Sequence, residues 1–470
     1  MNKQMINPYL PSWEYIPDGE PYAFGDRVYV YGSHDRFNGH AYCLNDYVCW
    51  SAPADDMGNW RYEGVIYRKT QDPVNRDGRM CLYAPDVAKG TDGRYYLYYV
   101  LDQINIVSVA VCDTPAGEYT FYGYVHYNDG TRLGEREGDE PQFDPGVLCE
   151  GDRTYLYTGF CYPHDRTSHG AMATVLGPDM LTVTAAPGFV IPSRQYAAGS
   201  GFEGHEYFEA PSIRKYNGMY YLIYSSILQY ELCYAVSTDP VSGFRYGGVI
   251  VSNNDIGIDS YKPAGMPAYY GGNNHGSIEK VGDDWWIFYH RHTNGTNFSR
   301  QGCIERIYFD ENGMIPQVSM TSCAGGTPIT GKGVHPAYTA CSLFCRTESV
   351  YTGMPGEWLD CRFPKITQDG KDGDEEEGYI ANMRDGAVAG FRYLDCREVN
   401  NAGIAVRGYI NGTFLIKTEW DGDVLARIPV VSSTVWVDYD TEISIPDGVC
   451  AIYIEYSGEG GASLRSFRLS

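Results

Sequence analysis

Apolar positions in the first two thirds of the chain come in short dense runs, each entered through a glycine-containing turn. The runs are Gly25-Asp26-Arg27-Val28-Tyr29-Val30-Tyr31, Gly93-Arg94-Tyr95-Tyr96-Leu97-Tyr98-Tyr99, Gly151-Asp152-Arg153-Thr154-Tyr155-Leu156-Tyr157, Gly218-Met219-Tyr220-Tyr221-Leu222-Ile223-Tyr224 and Gly282-Asp283-Asp284-Trp285-Trp286-Ile287-Phe288-Tyr289. Each reads as a hairpin: a short strand, a Gly/Asn/Asp turn and a second, aromatic-rich strand. The period of about 60 residues, with no helical pattern between copies, suits a propeller blade of several short strands. Five copies predict five blades around one axis.

Past residue 320 the pattern changes. Ala324-Gly325-Gly326-Thr327-Pro328-Ile329-Thr330-Gly331 reads as a linker. Hairpin signals at Asn411-Gly412 and Asp421-Gly422 then separate strands at 403–409, 413–420 and 424–430, with later strands near 436–443, 451–456 and 463–469. The expected architecture is all-β: a five-bladed β-propeller over 1–322, a linker over 323–334 and a jelly-roll-like β-sandwich over 335–470.

Composition narrows the function. A formal charge of −24 at pH 7 argues against a nucleic-acid partner. None of the 14 cysteines has metal-finger spacing, Cys341 and Cys345 being the nearest pair. Cys149, Cys233 and Cys450 read as small buried hydrophobes. The opening Met1-Asn2-Lys3-Gln4-Met5-Ile6-Asn7-Pro8 has no apolar core of a secretory signal, and no stretch approaches the ~18 apolar residues of a membrane span. A cytoplasmic protein with reduced thiols and no membrane partner is expected. The 43 tyrosines suit strands and also make platforms for sugar rings.

The residues ahead of the turns bring in chemistry. Asp18, Asp86, Asp144 and His275 each stand seven positions before a turn glycine, and Glu209 stands nine before Gly218. The innermost strand of every blade therefore brings one titratable group toward the channel mouth. Any one of these could be an ordinary turn residue; five together point to a site. Converging carboxylates supply what glycosidic cleavage needs: an acid for the leaving oxygen, a second carboxylate to attack or to activate water, and a neighbour that raises the acid's pKa.

The motifs Ile16-Pro17-Asp18-Gly19-Glu20-Pro21, Asp56-Met57-Gly58-Asn59-Trp60, Ala84-Pro85-Asp86-Val87, Phe143-Asp144-Pro145, Phe208-Glu209-Ala210-Pro211 and Asn274-His275-Gly276-Ser277 resemble glycoside hydrolase family 43 across residues 7–320. The resemblance implies Asp18 as general base, Glu209 as general acid, Asp144 as the group that raises the pKa of Glu209, and inversion of configuration. The family's first motif usually reads Asp-Pro; here it is Asp18-Gly19, which keeps Glu20 as the alternative base. The resemblance also places His275 near the axis, beside a calcium ion or an ordered water, and implies no organic cofactor.

Tyr83, Asp86, Phe143, Arg291, Arg300 and His34 are candidates for holding the sugar, the arginines having surface ion pairs as their alternative role. Loops 72–80 and 196–206 are expected to wall the pocket into a dead end, which favours exo action. The expected substrate is a short plant-derived oligosaccharide that loses a terminal pentose, arabinofuranose or xylose. Another furanoside or a galactoside, a non-catalytic sugar-binding propeller and a protein-binding scaffold are the alternatives. Gly403-Ile404-Ala405-Val406-Arg407-Gly408-Tyr409 and the turn at Trp420-Asp421-Gly422 resemble carbohydrate-binding module family 6. That domain is expected mainly to brace the propeller. Oligomeric state stays open.

Overall fold

Each aromatic run packs on both faces, which is why it reads as continuous rather than alternating. In the computed structural model, which describes residues 4–346 and 363–470, the first two thirds form five antiparallel sheets. The first contains β1 (Glu20–Phe24), β2 (Arg27–Tyr31), β3 (Tyr47–Pro53) and β4 (Arg61–Tyr67). The second contains β5 (Asp86–Lys89), β6 (Tyr95–Tyr99), β7 (Ser108–Cys112) and β8 (Thr120–Tyr124). The third contains β9 (Gly146–Glu150), β10 (Arg153–Thr158), β11 (Gly170–Leu176) and β12 (Val183–Pro192). The fourth contains β13 (Tyr207–Tyr216), β14 (Met219–Ser226), β15 (Glu231–Ser237) and β16 (Arg245–Ser252). The fifth contains β17 (Ser277–Val281), β18 (Asp284–His292) and β19 (Arg300–Ile307).

All five turn glycines lie between the first and second strands of a blade with positive φ: Gly25 67°, Gly93 85°, Gly151 61°, Gly218 79° and Gly282 63°. The left-handed backbone, not crowding, demands glycine there. Between blades lie apolar cores that consecutive residues feed in turn. Tyr95, Leu97 and Tyr99 of β6 face the core shared with blade one, whereas Tyr96 and Tyr98 face the core shared with blade three. Tyr220, Leu222 and Tyr224 of β14 likewise face blade three, and Tyr221 and Ile223 face blade five.

The ring closes through the N-terminal segment, which lies along blade five without forming a strand. The Asn7 side chain imitates a strand residue, donating to the Ile304 carbonyl at 2.8 Å and accepting from the Ile304 N–H at 2.9 Å. Gly19 bridges Gly276, joining the innermost segments of blades one and five.

The last third is one β-rich sheet, sandwich-like in section, around an apolar core continuous with that between blades four and five. It contains β20 (Ile329–Thr330), β21 (Gly333–Pro336), β22 (Ser342–Cys345), β23 (Lys365–Thr367), β24 (Tyr379–Met383), β25 (Ala387–Cys396), β26 (Val399–Lys417), β27 (Ala426–Ile445) and β28 (Gly448–Leu469). The Asp421-Gly422 hairpin forms, joining β26 to β27. Asn411-Gly412 is not a turn: β26 runs straight through it, with Gly412 opposite Gly458. Glycine is needed there because a Cβ would lie 2.5 Å from the Ser457 carbonyl oxygen. Within 323–334, Cys323 and Ala324 are buried, and β20 pairs in parallel with β25.

Candidate active site

At the channel mouth the innermost strands leave a cavity of about 630 Å³. Asp18 enters it from blade one, Tyr83 and Ala84 from blade two, Phe143 and Asp144 from blade three, Phe208 and Glu209 from blade four, and Asn273, His275 and Arg300 from blade five. Several of these bend out of regular strand geometry. Asp18 has φ 58°, Asp144 45°, Ala210 65° and Asn273 41°. Left-handed non-glycine residues cost on the order of 1–3 kcal/mol each and persist where packing over-determines them.

Arg300, fully buried, organises one side. Its Nη1 donates to Asp18 Oδ1 at 3.0 Å and to Asn273 Oδ1 at 2.7 Å. Nε and Nη2 clasp Asp35 at 2.9 and 3.0 Å, and the guanidinium lies 4.9 Å from the Tyr42 ring centroid. The Asp18 N–H donates to His290 Nδ1 at 3.3 Å. On the other side, Asn273 Nδ2 donates to Glu209 Oε1 at 3.2 Å. Burial and the negative charge of Asp18 push the Glu209 carboxyl up to about 8. Burial, Glu209 and Asp18 drive Asp144 well above the usual carboxylate range. Both carboxyls are thus biased toward the protonated form at neutral pH. Burial pulls the His275 imidazole down to about 4 despite Asp18 beside it, which keeps the ring neutral.

The opposite wall is aromatic. Tyr83 packs edge-on to Phe143 at 5.7 Å, and Phe143 and Phe208 flank Phe160 at 5.0 and 5.3 Å. Tyr162, 58% exposed, extends that wall to the rim, where Asp102 and Gln103 also stand. Such a pocket offers aromatic faces to a sugar ring and carboxyl groups to its glycosidic oxygen.

Three candidate sugar contacts lie elsewhere. His34 is tied to the Asp46 carbonyl at 2.9 Å and Glu14 at 3.0 Å, because its side chain leaves the chain on the face away from the pocket. Its neighbour Asp35 is the residue that reaches the site. Asp86 is fully buried, accepting from the Tyr22 hydroxyl and the Val87 and Val147 N–H groups; it is the first residue of regular strand β5, whereas Asp18 and Asp144 precede their strands with left-handed backbones. Arg291 is buried against Gln301 and the Tyr338 and Ala340 carbonyls, where it braces the C-terminal sheet. Glu20 also faces away, accepting from Ser212 at 3.0 Å and pairing with Arg214 at 3.2 Å. Loops 72–80 and 196–206 do not line the cavity; Asp72 is buried against the Tyr99 and Tyr124 hydroxyls. Sequence reasoning missed Asp35, Tyr42, Phe160, Tyr162 and Asn273. Asp35 adjoins the candidate His34 and Asn273 adjoins the motif Asn274-His275-Gly276-Ser277, whereas Phe160 and Tyr162 follow a strand and carry no local signal.

A calcium ion here would meet one imidazole and two carboxylates: His275 Nδ1 lies 3.8 Å from Asp18 Oδ1 and 3.7 Å from Asp144 Oδ2. Calcium takes six to eight oxygens, so these residues fit an ion that keeps most of its water.

The profile of glycosyl hydrolases family 43 matches residues 16–315. A xylosidase/arabinosidase of Thermoclostridium stercorarium is 67% identical over 470 residues, covering 100% of this chain and 99% of its own. An arabinoxylan arabinofuranohydrolase of that family from Bacillus subtilis, solved with cellotetraose, has the same fold (TM-score 0.53, 20% identity, 100% of this chain and 99% of that one). So does a β-xylosidase/α-arabinofuranosidase from a compost microbial metagenome, solved with xylotriose in a calcium-free form (TM-score 0.53, 23% identity, 68% of this chain and 99% of that one).

Proposed function

The chain belongs to glycoside hydrolase family 43, and from that premise we propose an inverting, exo-acting hydrolase. It releases terminal pentoses from plant-derived oligosaccharides as an α-L-arabinofuranosidase, a β-D-xylosidase or both. The observation that carries the reading is three buried carboxyl groups in one pocket, one clasped by an arginine and two biased by burial and neighbouring charge toward the protonated form. The full-length relative named xylosidase/arabinosidase supports both sugars at one site.

In this reading Asp18, held by Arg300, takes a proton from a water that attacks the anomeric carbon. Glu209 gives its proton to the departing oxygen on the opposite face. Asp144 keeps Glu209 protonated until then, and neutral His275 borders the water's side. The two carboxyls end with exchanged protonation and reset through solvent. Calcium, which the resemblance places beside His275, would supply positive charge near the carboxylates when bound.

We also assign the division 1–322, 323–334 and 335–470, a family 6-like carbohydrate-binding module at the C-terminus, and a cytoplasmic location. No helix among the described residues is long and apolar enough to cross a membrane.

The test is hydrolysis of a panel of nitrophenyl glycosides and arabino-xylo-oligosaccharides by wild type and Glu209→Ala. Wild type is expected to cleave a pentoside with an inverted product anomer by NMR. The variant should lose about 10²–10⁴-fold on oligosaccharides and less on nitrophenyl substrates, whose leaving group needs little protonation. A wild type inert on the whole panel would overturn the reading.

A further inference from the structure

Away from the pocket, blade four gathers a second set of reactive side chains. Glu231 and Cys233 lie two apart on β15 and so share a face. His205, in the loop just ahead of β13, is brought against them. The His205 Nδ1 and Glu231 Oε1 atoms are 2.6 Å apart, Cys233 Sγ is 3.4 Å from that oxygen, and Sγ to Nδ1 is 3.9 Å. Ser226 Oγ donates to the same oxygen at 2.6 Å. Three donors thus converge on one carboxylate oxygen, crowding protons where a single cation would satisfy all the lone pairs.

We propose that His205 Nδ1, Glu231 Oε1 and Cys233 Sγ bind one borderline-soft divalent cation of the zinc class. Nitrogen, carboxylate oxygen and thiolate are the ligand types zinc takes, with bonds of about 2.0–2.3 Å that give tetrahedral edges of about 3.3–3.7 Å. Two of the three separations are already near that length. The third must widen by under about 1 Å to reach it, and the His205 side chain, 33% exposed, has room to move. Its ring is held by stacking on Tyr246 at 4.8 Å and 13°, which keeps Nδ1 turned inward. Cys233 and Glu231 are buried, so the exposed side of the imidazole is the route in and leaves the fourth position to water or to the Tyr246 hydroxyl, 4.0 Å from Sγ.

Binding exchanges protons for metal. The Cys233 thiol loses its proton to solvent, and the neutral imidazole carries its proton on Nε2 rather than Nδ1. Burial and Glu231 hold the thiol well above its ordinary pKa, so binding has to release that proton. The bound cation would fasten the loop ahead of β13 to the third strand of its blade.

The experiment is titration of the full-length, reduced protein with Co²⁺, followed by its thiolate-to-cobalt charge-transfer absorption and by competition with Zn²⁺. One equivalent per chain is expected, displaced by Zn²⁺ and not by Ca²⁺. Cys233→Ser should abolish the band, and His205→Ala, a change at a partly exposed position, should weaken binding at least tenfold with the fold intact by circular dichroism. Cys450→Ser, near the Cys396 thiol on the C-terminal sheet, should change nothing. Absence of the band in wild type, its survival in Cys233→Ser, full affinity in His205→Ala, or loss of the band in Cys450→Ser would each overturn the assignment.

Discussion

Asp18 and Glu20 stand two apart, and a regular strand would put both on one face. The backbone turns left-handed at Asp18, so only Glu20 obeys the alternation of β1. Asp18 swings to the mouth, against Arg300, and Glu20 points down the axis to Arg214. Asp18→Asn is therefore expected to lose about 10²–10⁴-fold in kcat on an oligosaccharide. Glu20→Gln, which keeps an acceptor for Ser212, should stay within tenfold of wild type in the same assay. At Glu209 the raised pKa carries a stability consequence. Below about 4.5 the carboxyl is protonated in both states and costs nothing; as pH rises from about 4.5 to about 8 the unfolded chain ionises while the fold holds the proton, so stability is lost over that window and levels off above it. Glu209→Gln, which cannot ionise, should melt close to wild type at pH 4.5 and progressively above it toward pH 8–9. Calorimetry across that range checks the sign. On the acid-catalysis side, activity should fall as pH rises through about 8, where the proton is lost.

Among the strands, the innermost ones of blades one, four and five meet at Arg214. Its Nε donates to Glu279 at 2.9 Å, its Nη2 reaches Glu20 at 3.2 Å and the Pro21 carbonyl at 2.8 Å, and its guanidinium lies 4.2 Å from the Tyr22 ring centroid. Asp86 joins this cluster through the Tyr22 hydroxyl. One buried cation thus serves carboxylates from three blades. Arg214→Met should cost on the order of 3 kcal/mol in urea unfolding at pH 7, because it strands buried carboxyls. In the C-terminal sheet, β26 is one strand where the Asn411-Gly412 signal predicts two. Asn-Gly is a strong turn signal only where no neighbour needs its lack of a side chain, and at Gly412 the facing strand does.

At the scale of the whole molecule, the core between blades four and five does not stop at the propeller. Tyr221, Ile287 and Tyr289 belong to one apolar cluster with Leu343, Phe391 and Ile452 of the C-terminal sheet. Arg392 of β25 and Asp255 of the fourth blade's following loop form an ion pair at 2.7 Å with both side chains fully buried. The Leu343 N–H donates to the Ala268 carbonyl at 2.8 Å, and Asp372 accepts from the Phe37 N–H at 2.7 Å. A chain ended at residue 322 is expected to aggregate or bind a hydrophobic dye, and the full chain to unfold in one calorimetric transition. Two separate transitions would show the sheet to be an independent unit.

The all-β class, the five blades, the turn glycines and the positions of Asp18, Asp144 and Glu209 were legible in the sequence because they rest on local rules: positive φ at a turn, apolar residues on a two-faced strand, one polar residue per repeat. Tertiary structure alone decided which polar residues face the same space. His34 and Asp35 differ by one position, and only the packing of blade one against Arg300 selects Asp35. Arg291 and Arg300 lie one rung apart at the turn end of one hairpin, on facing strands, and contact with the C-terminal segment takes the first away from the pocket. The aromatic rim of Phe160 and Tyr162 depends on a loop with no repeat of its own. Periodicity records how a strand meets its neighbours; which loops meet over the axis is set by the closed ring, and no stretch of chain carries that information alone.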